Sequence, residues 1–356
     1  MKPLILVTND DGITASGIRN LVDVMKTIGD VVVVAPNSPQ SGMGHAITIG
    51  EPLRLYETHI FEGVVEYECS GTPADCVKLA KHYVLRDKKP DLVVVGEWMP
   101  ITVMINADGN LTNKTTDYFE KAYSGWWNKI LVEDLNGDGK IDIVAGNMGL
   151  NTQCKASDSE PIEMVYKDFD DNGSVDPIMS FYIQGKSYPY VTRDEMLDQM
   201  SIMRTRFQDY KSYAEATVTD IFTPEELKDA SHLRSNFLKT AYFESNASGK
   251  LKEKPLPLAV QSSPVYTITS IDFDQDGKKD LLFCGNSSRA RLRFGKYDAN
   301  YGILLKGDGK GNFNYIPQNK SGFALKGDVR SVLSLGNTLL FGINQQEVKA
   351  YKLAGK

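Results

Sequence analysis

The feature that most constrains this chain is a nine-residue turn template that occurs three times in its second part. The copies are Asp134-x-Asn136-x-Asp138-Gly139-x-x-Asp142, Asp168-x-Asp170-x-Asn172-Gly173-x-x-Asp176 and Asp272-x-Asp274-x-Asp276-Gly277-x-x-Asp280. Each sets side-chain oxygens at positions 1, 3, 5 and 9, with a glycine at position 6 where the chain must turn sharply. An EF-hand needs Glu at position 12. Here that position holds Ala145, Met179 or Phe283, on apolar strand-like stretches, so these are not EF-hands. The first two copies start 34 residues apart and the next interval is 104 residues. Within the longer interval Met196, Met200, Met203, Phe207 and Tyr210 recur at helix spacing, which predicts a helical insert over about residues 193–245. Short strands joined by turns at such periods predict an all-β, propeller-like array over residues 97–356.

Residues 1–96 follow a different pattern. Leu4 to Thr8 is a short apolar run that ends in a turn. Ser16 to Ile28 has helical spacing, with Ile18, Leu21, Val22 and Met25 on one face. Val31 to Ala35 is a β-branched run stopped by Pro36, suited to a central parallel strand buried on both faces. Ala46 to Leu55 and Val64 to Glu68 read as strands, Pro73 to Leu85 as a helix, and Asp91 to Val95 as another buried strand. This alternation predicts a doubly wound, Rossmann-like α/β sheet.

The net charge of −6 argues against a nucleic-acid-binding surface, which needs a basic face. No apolar run approaches the ~18 residues that span a bilayer. The apolar start, Leu4 to Val7, is too short for a signal peptide and runs straight into Asn9-Asp10-Asp11, so a cytoplasmic location is expected. Cys69, Cys76, Cys154 and Cys284 form no C-x-x-C pair and read as buried free thiols.

Three loops of the first part carry candidate chemistry. Asn9-Asp10-Asp11-Gly12 follows a strand, where open α/β sheets bind ligands. Its adjacent carboxylates suit Mg²⁺ or Mn²⁺, and equally suit a helix N-cap. Pro36 to Gly44 offers hydroxyls and glycine amides to a metal or a phosphate, or is an ordinary surface loop. Gly71-Thr72-Pro73-Ala74-Asp75 starts a helix, with Thr72 at the N-cap, Pro73 at the first helical position and Asp75 completing a capping box. Its free amides also suit a phosphate.

The strings ILVTNDDG-ITASGI, VVVVAPNSPQSGMGHAITI and SGTPADCVKLA, in this order and spacing, closely resemble the stationary-phase survival protein family, SurE. The resemblance runs from about Pro3 to Gly96. It implies a metal-dependent 5′-nucleotidase acting on nucleoside monophosphates. Carried over residue by residue, it implies Asp10, Asp11 and Ser41 as metal ligands and Asn9, Gly42 and Thr72 near the substrate phosphate. Asp10 is then the catalytic carboxylate. Trp98 stands where the family carries an Asn that completes its metal site. Glu97 lies one position early, and the family's downstream strands have no counterpart.

The Asp-rich turns resemble the calcium loops of FG-GAP/VCBS repeats, over about Pro90 to Leu353. This implies Ca²⁺ at Asp134, Asn136, Asp138 and Asp142, at Asp168, Asp170, Asn172 and Asp176, and at Asp272, Asp274, Asp276 and Asp280. It also implies a protein or glycan partner, an extracytoplasmic setting and no catalysis. Trp98, Trp126 and Trp127 are expected to pack between repeats. The two resemblances meet within Pro90 to Gly96, a string that both families carry as a strand. The chain therefore reads as a chimera, by recombination, assembly or engineering, of a truncated nucleotidase domain and a set of repeats.

Overall fold

The computed structural model describes residues 4–27, 29–40, 48, 51–85, 91–107, 110–291, 293 and 295–353. The chain divides into two compact units. One comprises Met1–Leu92 with Ile105–Thr112, the other Val93–Met104 with Asn113–Lys356.

The first unit is built on four strands, β1 (Leu4–Val7), β2 (Asp30–Pro36), β3 (Leu55–Glu57) and β4 (Val65–Cys69). They lie in the order β1-β2-β4-β3. β2 runs parallel to β1 and to β4, and β3 closes the far side antiparallel. The β-branched run explains why β2 is central. Val31, Val33 and Ala35 pack with Ile18 and Val22 of helix α1 (Ser16–Lys26). Val32 and Val34 face the other way, onto Cys69, Cys76 and Ala80 beside helix α2 (Pro73–Leu79). A strand apolar at every position can be buried only between two layers.

Three expectations shift. Helix α2 ends at Leu79 and the chain continues as a π-helical turn, Ala80–Val84. Of the strand expected over 46–55 only its end appears among the described residues, as β3; Ala46, Ile47, Ile49 and Gly50 lie outside them. The run Asp91 to Val95 forms β5 (Leu92–Val94), which does not join β1–β4. It belongs to a separate three-stranded sheet with Thr102–Ala107 and Asn110–Asn113, and Leu92 and Val94 are exposed. An apolar composition licenses a buried strand but does not choose its partner. β1 is therefore an edge of its sheet.

The second unit is rich in antiparallel strands, as the turn template predicts. One sheet orders Lys129–Glu133, Asp142–Gly146, Ala241–Ser245 and Leu251–Lys254. A second orders Lys186–Pro189, Asp176–Ile183, Ile162–Lys167 and Ser231–Ser235. A third orders Val265–Ile271, Asp280–Gly285, Ile303–Gly307 and Phe313–Ile316. A three-stranded sheet, Val329–Leu335 with Thr338–Ile343 and Lys349–Lys352, follows. Each Asp-rich template is the hairpin turn between two neighbouring strands. No sheet closes into a barrel among the described residues.

The helical insert is shorter than predicted. Its helices run from Arg193–Gln199 to Pro224–Leu227, and Ser231–Ser235 and Ala241–Ser245 are strands. The methionine stripe is its core: Met196, Met200 and Met203 pack with Phe207, Ile221 and Phe222. All four cysteines are buried and free. Among the described residues no helix is long and apolar enough to cross a membrane.

Candidate functional site

Three loops leave the carboxyl ends of the adjacent parallel strands β1, β2 and β4. Backbone hydrogen bonds stitch them together. The Ile13 amide donates to the Pro36 carbonyl at 2.8 Å, and the Asn37 amide to the Cys69 carbonyl at 2.8 Å. The Gln40 amide donates to the Asp10 carbonyl at 2.6 Å. Gly12 adopts φ +95°, and a Cβ there would meet the Pro36 carbonyl oxygen at 3.4 Å, so a glycine lets the first loop turn against the second.

Asp10 and Asp11 are exposed at the tip of the first loop. Asn9 turns its amide nitrogen to the Gly12 carbonyl at 2.9 Å. Its Oδ1 is buried with no hydrogen-bond partner among the described residues, as is the hydroxyl of Thr8. A buried acceptor without a donor is costly unless something else fills the place. An oxygen acceptor left over on the residue that precedes two carboxylates in the chain suits a hard cation. Among the described residues no third His, Cys, Asp or Glu joins Asp10 and Asp11. Ser41 and Gly42, expected at the metal and the phosphate, lie outside the described residues.

Thr72 caps α2, as predicted, in a capping box with Asp75. Asp75 does more than cap. Its buried Oδ2 accepts from the Thr72 amide at 3.0 Å and hydroxyl at 2.9 Å. It also accepts from the Thr48 amide at 3.0 Å and hydroxyl at 2.8 Å. One carboxylate thus ties the third loop to the chain that returns from the second. Burial alone would push the Asp75 carboxyl up, but the hydrogen bonds from Thr48 and Thr72 outweigh it and hold it below its ordinary range. Stability from ionised Asp75 is therefore complete above the unfolded value of 3.8 and lost as pH falls through the lower folded value. Asp75→Ala would strand two backbone amides, at a cost of about 2–4 kcal/mol. Thermal melting of the parent and the variant at pH 7 checks this, and the difference should shrink below pH 3.8. Capping logic finds Asp75 in the sequence; nothing local signals its link to Thr48.

Trp98 belongs to the second unit. Its ring packs on Trp126 with centroids 5.4 Å apart, beside a cluster of Cys154, Ile162, Phe181 and Leu238. Trp98 has φ +62°, a conformation Asn tolerates better than Trp. Trp98→Asn therefore trades lost aromatic packing against relieved strain, a net destabilisation of about 1–2 kcal/mol in a thermal melt.

The three Asp-rich turns share one set of hydrogen bonds. Position 1 accepts from the position 6 glycine amide: Asp134 from Gly139 at 2.9 Å, Asp168 from Gly173 at 2.8 Å, Asp272 from Gly277 at 2.9 Å. These glycines have φ between +80° and +87°. Position 9 is buried and accepts from the amide of position 2: Asp142 from Leu135, Asp176 from Phe169, Asp280 from Phe273. Burial pushes the Asp142 and Asp280 carboxyls up despite these bonds. Carboxylate oxygens of Asp168, Asp170 and Asp176 lie within 4.8 Å of one another, as do those of Asp272, Asp274 and Asp276. In the first turn Asn136 bonds Glu244 at 3.2 Å, and Asp138 holds the Lys140 amide at 2.9 Å. Asn172 holds the Ser174 amide at 2.8 Å.

The loops at the ends of β1, β2 and β4 meet an independent finding. Residues 5–115 match the family model described as Survival protein SurE. The SurE match thus extends past Gly96, beyond where the motifs alone end. Over 95 residues the chain is 72% identical to 5′-nucleotidase SurE of Cytophaga hutchinsonii, covering 27% of this chain and 37% of that protein. It is 41% identical over 136 residues to 5′-nucleotidase SurE of Bacteroides fragilis, covering 38% of this chain and 48% of the relative. A crystal structure of the SurE protein of Aquifex aeolicus aligns at 39% identity and a TM-score of 0.22, over 28% of this chain and 40% of that one. The chain therefore spans less than half the length of the SurE relatives it matches.

Proposed function

We propose that the N-terminal segment, about residues 1–96, is the front part of a metal-dependent 5′-nucleotidase of SurE type, cleaving nucleoside monophosphates to nucleoside and phosphate in the cytoplasm. The observation that carries this reading is the meeting of three loops at the carboxyl ends of adjacent parallel strands, in the segment matched by the SurE family. Asp10, Asp11 and Ser41 would hold Mg²⁺ or Mn²⁺, which would supply Lewis-acid polarisation of a phosphoryl oxygen. Asp10 would be the catalytic carboxylate. Asn9, Gly42 and Thr72 would line the phosphate position, and Asp75 fixes Thr72 and Thr48. Phosphate release from a panel of nucleoside monophosphates, with Mn²⁺ or with EDTA, tests the reading. Release only with the metal supports it; no release by soluble, folded protein under any condition counts against it.

The threefold repetition of one turn geometry favours a second reading for about residues 97–356. We infer that these are FG-GAP/VCBS-type repeats of propeller kind, which bind Ca²⁺ and a protein or glycan partner. On this reading the chain is a chimera joined near Pro90 to Gly96. A rise in melting temperature with millimolar Ca²⁺ supports the calcium sites, since a ligand of the native state stabilises it by mass action. An unchanged melt counts against them.

A further inference from the structure

The three Asp-rich turns are alike in backbone and unlike in what the neighbouring segment brings to them. In the first sheet Ile143 stands opposite Phe243, so Asp142 is level with Glu244. In the third sheet Leu281 stands opposite Leu305, so Asp280 is level with Lys306. The correspondence is confirmed by the next residue. Ser245 donates its amide to Asp142 at 2.9 Å, and Gly307 donates its amide to Asp280 at 2.8 Å. Glu244 and Lys306 thus occupy the same place in two copies of one design, with opposite charge.

Position 3 of the turn follows that change. In the first copy it is Asn136, whose amide donates to Glu244 at 3.2 Å, and Glu244 is also paired with Lys254 at 2.9 Å. In the third copy it is Asp274, which takes a hydrogen bond from the Lys306 ammonium. Lys306 also pairs with Asp276 at 3.1 Å. The second copy has neither arrangement. Its position 9 carboxylate, Asp176, accepts from Gln199 of the helical insert at 3.4 Å. No ion pair of Asp168, Asp170 or Asp176 occurs among the described residues. One oxygen of the position 3 carboxylate is buried without a partner among the described residues in both turns, Asp170 in the second and Asp274 in the third.

Three carboxylates within 4.8 Å repel one another unless a cation stands among them. In the third turn that cation is supplied by the chain itself. An ammonium is a compact point charge with three donors, able to serve two carboxylates at once. The residues of this turn therefore do not fit the divalent ion that the repeat resemblance implies, because a calcium ion would have to expel Lys306 from Asp274 and Asp276.

We propose that the Lys306 ammonium is the resident cation of the third turn, which folds without a divalent ion. Melting in EDTA of the parent, Lys306→Met, Asp274→Asn and the double variant tests the ammonium. Lys306→Met is expected to lower Tm by a few degrees, and adding Asp274→Asn should recover part of that loss. Independent, additive effects would overturn the proposal. Calcium stoichiometry by isothermal titration then tests the metal. Asp274→Asn is expected to leave the parent stoichiometry unchanged and Lys306→Met to add one ion. Loss of an ion in Asp274→Asn alone would overturn the proposal. If no protein binds calcium but the coupling in EDTA is present, the calcium reading fails and the ammonium assignment stands.

Discussion

Asp10→Asn is expected to reduce Mn²⁺-dependent phosphate release by on the order of 10³-fold while leaving the melting temperature within about 1 °C of the parent. The two expectations come from different parts of the structure. Asp10 is exposed, and the hydrogen bond that fastens its loop, from the Gln40 amide, ends on its backbone carbonyl. Removing one carboxylate charge therefore unmakes no fold contact. The proposed role of that charge is to hold a hard cation and direct water, and Lewis-acid stabilisation is worth several kcal/mol, or about three powers of ten in rate. Asp75→Asn provides the contrast. Asp75 is buried and bonded to both Thr48 and Thr72, so its variant should lose stability and activity together. Initial rates and thermal melts of the two variants side by side separate the exposed carboxylate from the buried one.

The second large effect lies in the repeats. Asp142→Ala should destabilise the second unit by about 4 kcal/mol, a fall of roughly 10 °C in its transition. Asp142 is fully buried and accepts from the Leu135 amide at 3.1 Å, the Ser245 amide at 2.9 Å and the Tyr242 hydroxyl at 3.2 Å. Truncation would leave all three donors in a dry interior, each unpaired at about 1–3 kcal/mol. Asp138→Ala is the control. Asp138 is exposed and holds only the Lys140 amide of its own turn, so its loss should cost under about 1 kcal/mol. Melts in EDTA keep any bound ion out of the comparison. Similar losses for the two variants would mean that the position 9 aspartate is not the structural anchor of the turn.

What could be read in the sequence was local. A glycine at position 6 of the Asp-rich turns and an oxygen at position 1 make a hydrogen-bonded turn within six residues, and all three turns form as their template predicts. The β-branched run of β2 is buried on both sides for the same reason, because its composition leaves no polar face. What could not be read was the choice of partner. The run Asp91 to Val95 has the composition of a central strand, yet β5 pairs elsewhere and exposes Leu92 and Val94. Trp98, placed by alignment at a ligand position, packs on Trp126. Asp75 was legible as a cap because Thr72 is three residues away. Its bonds to Thr48 span 27 residues and leave no spacing signal. Lys306 and Glu244 escape for the same reason, since each meets its turn only through the register of a neighbouring strand.

On the proposed function, the loops after β1, β2 and β4 build a divalent-metal site of nucleotidase type. A Mn²⁺ titration followed by calorimetry tests this, on the parent and on Asp10→Asn/Asp11→Asn, with excess Ca²⁺ present to occupy any Asp-rich turn that accepts it. One Mn²⁺ site is expected in the parent and none in the double variant, with both proteins melting alike in EDTA. Identical isotherms for two folded proteins would contradict it.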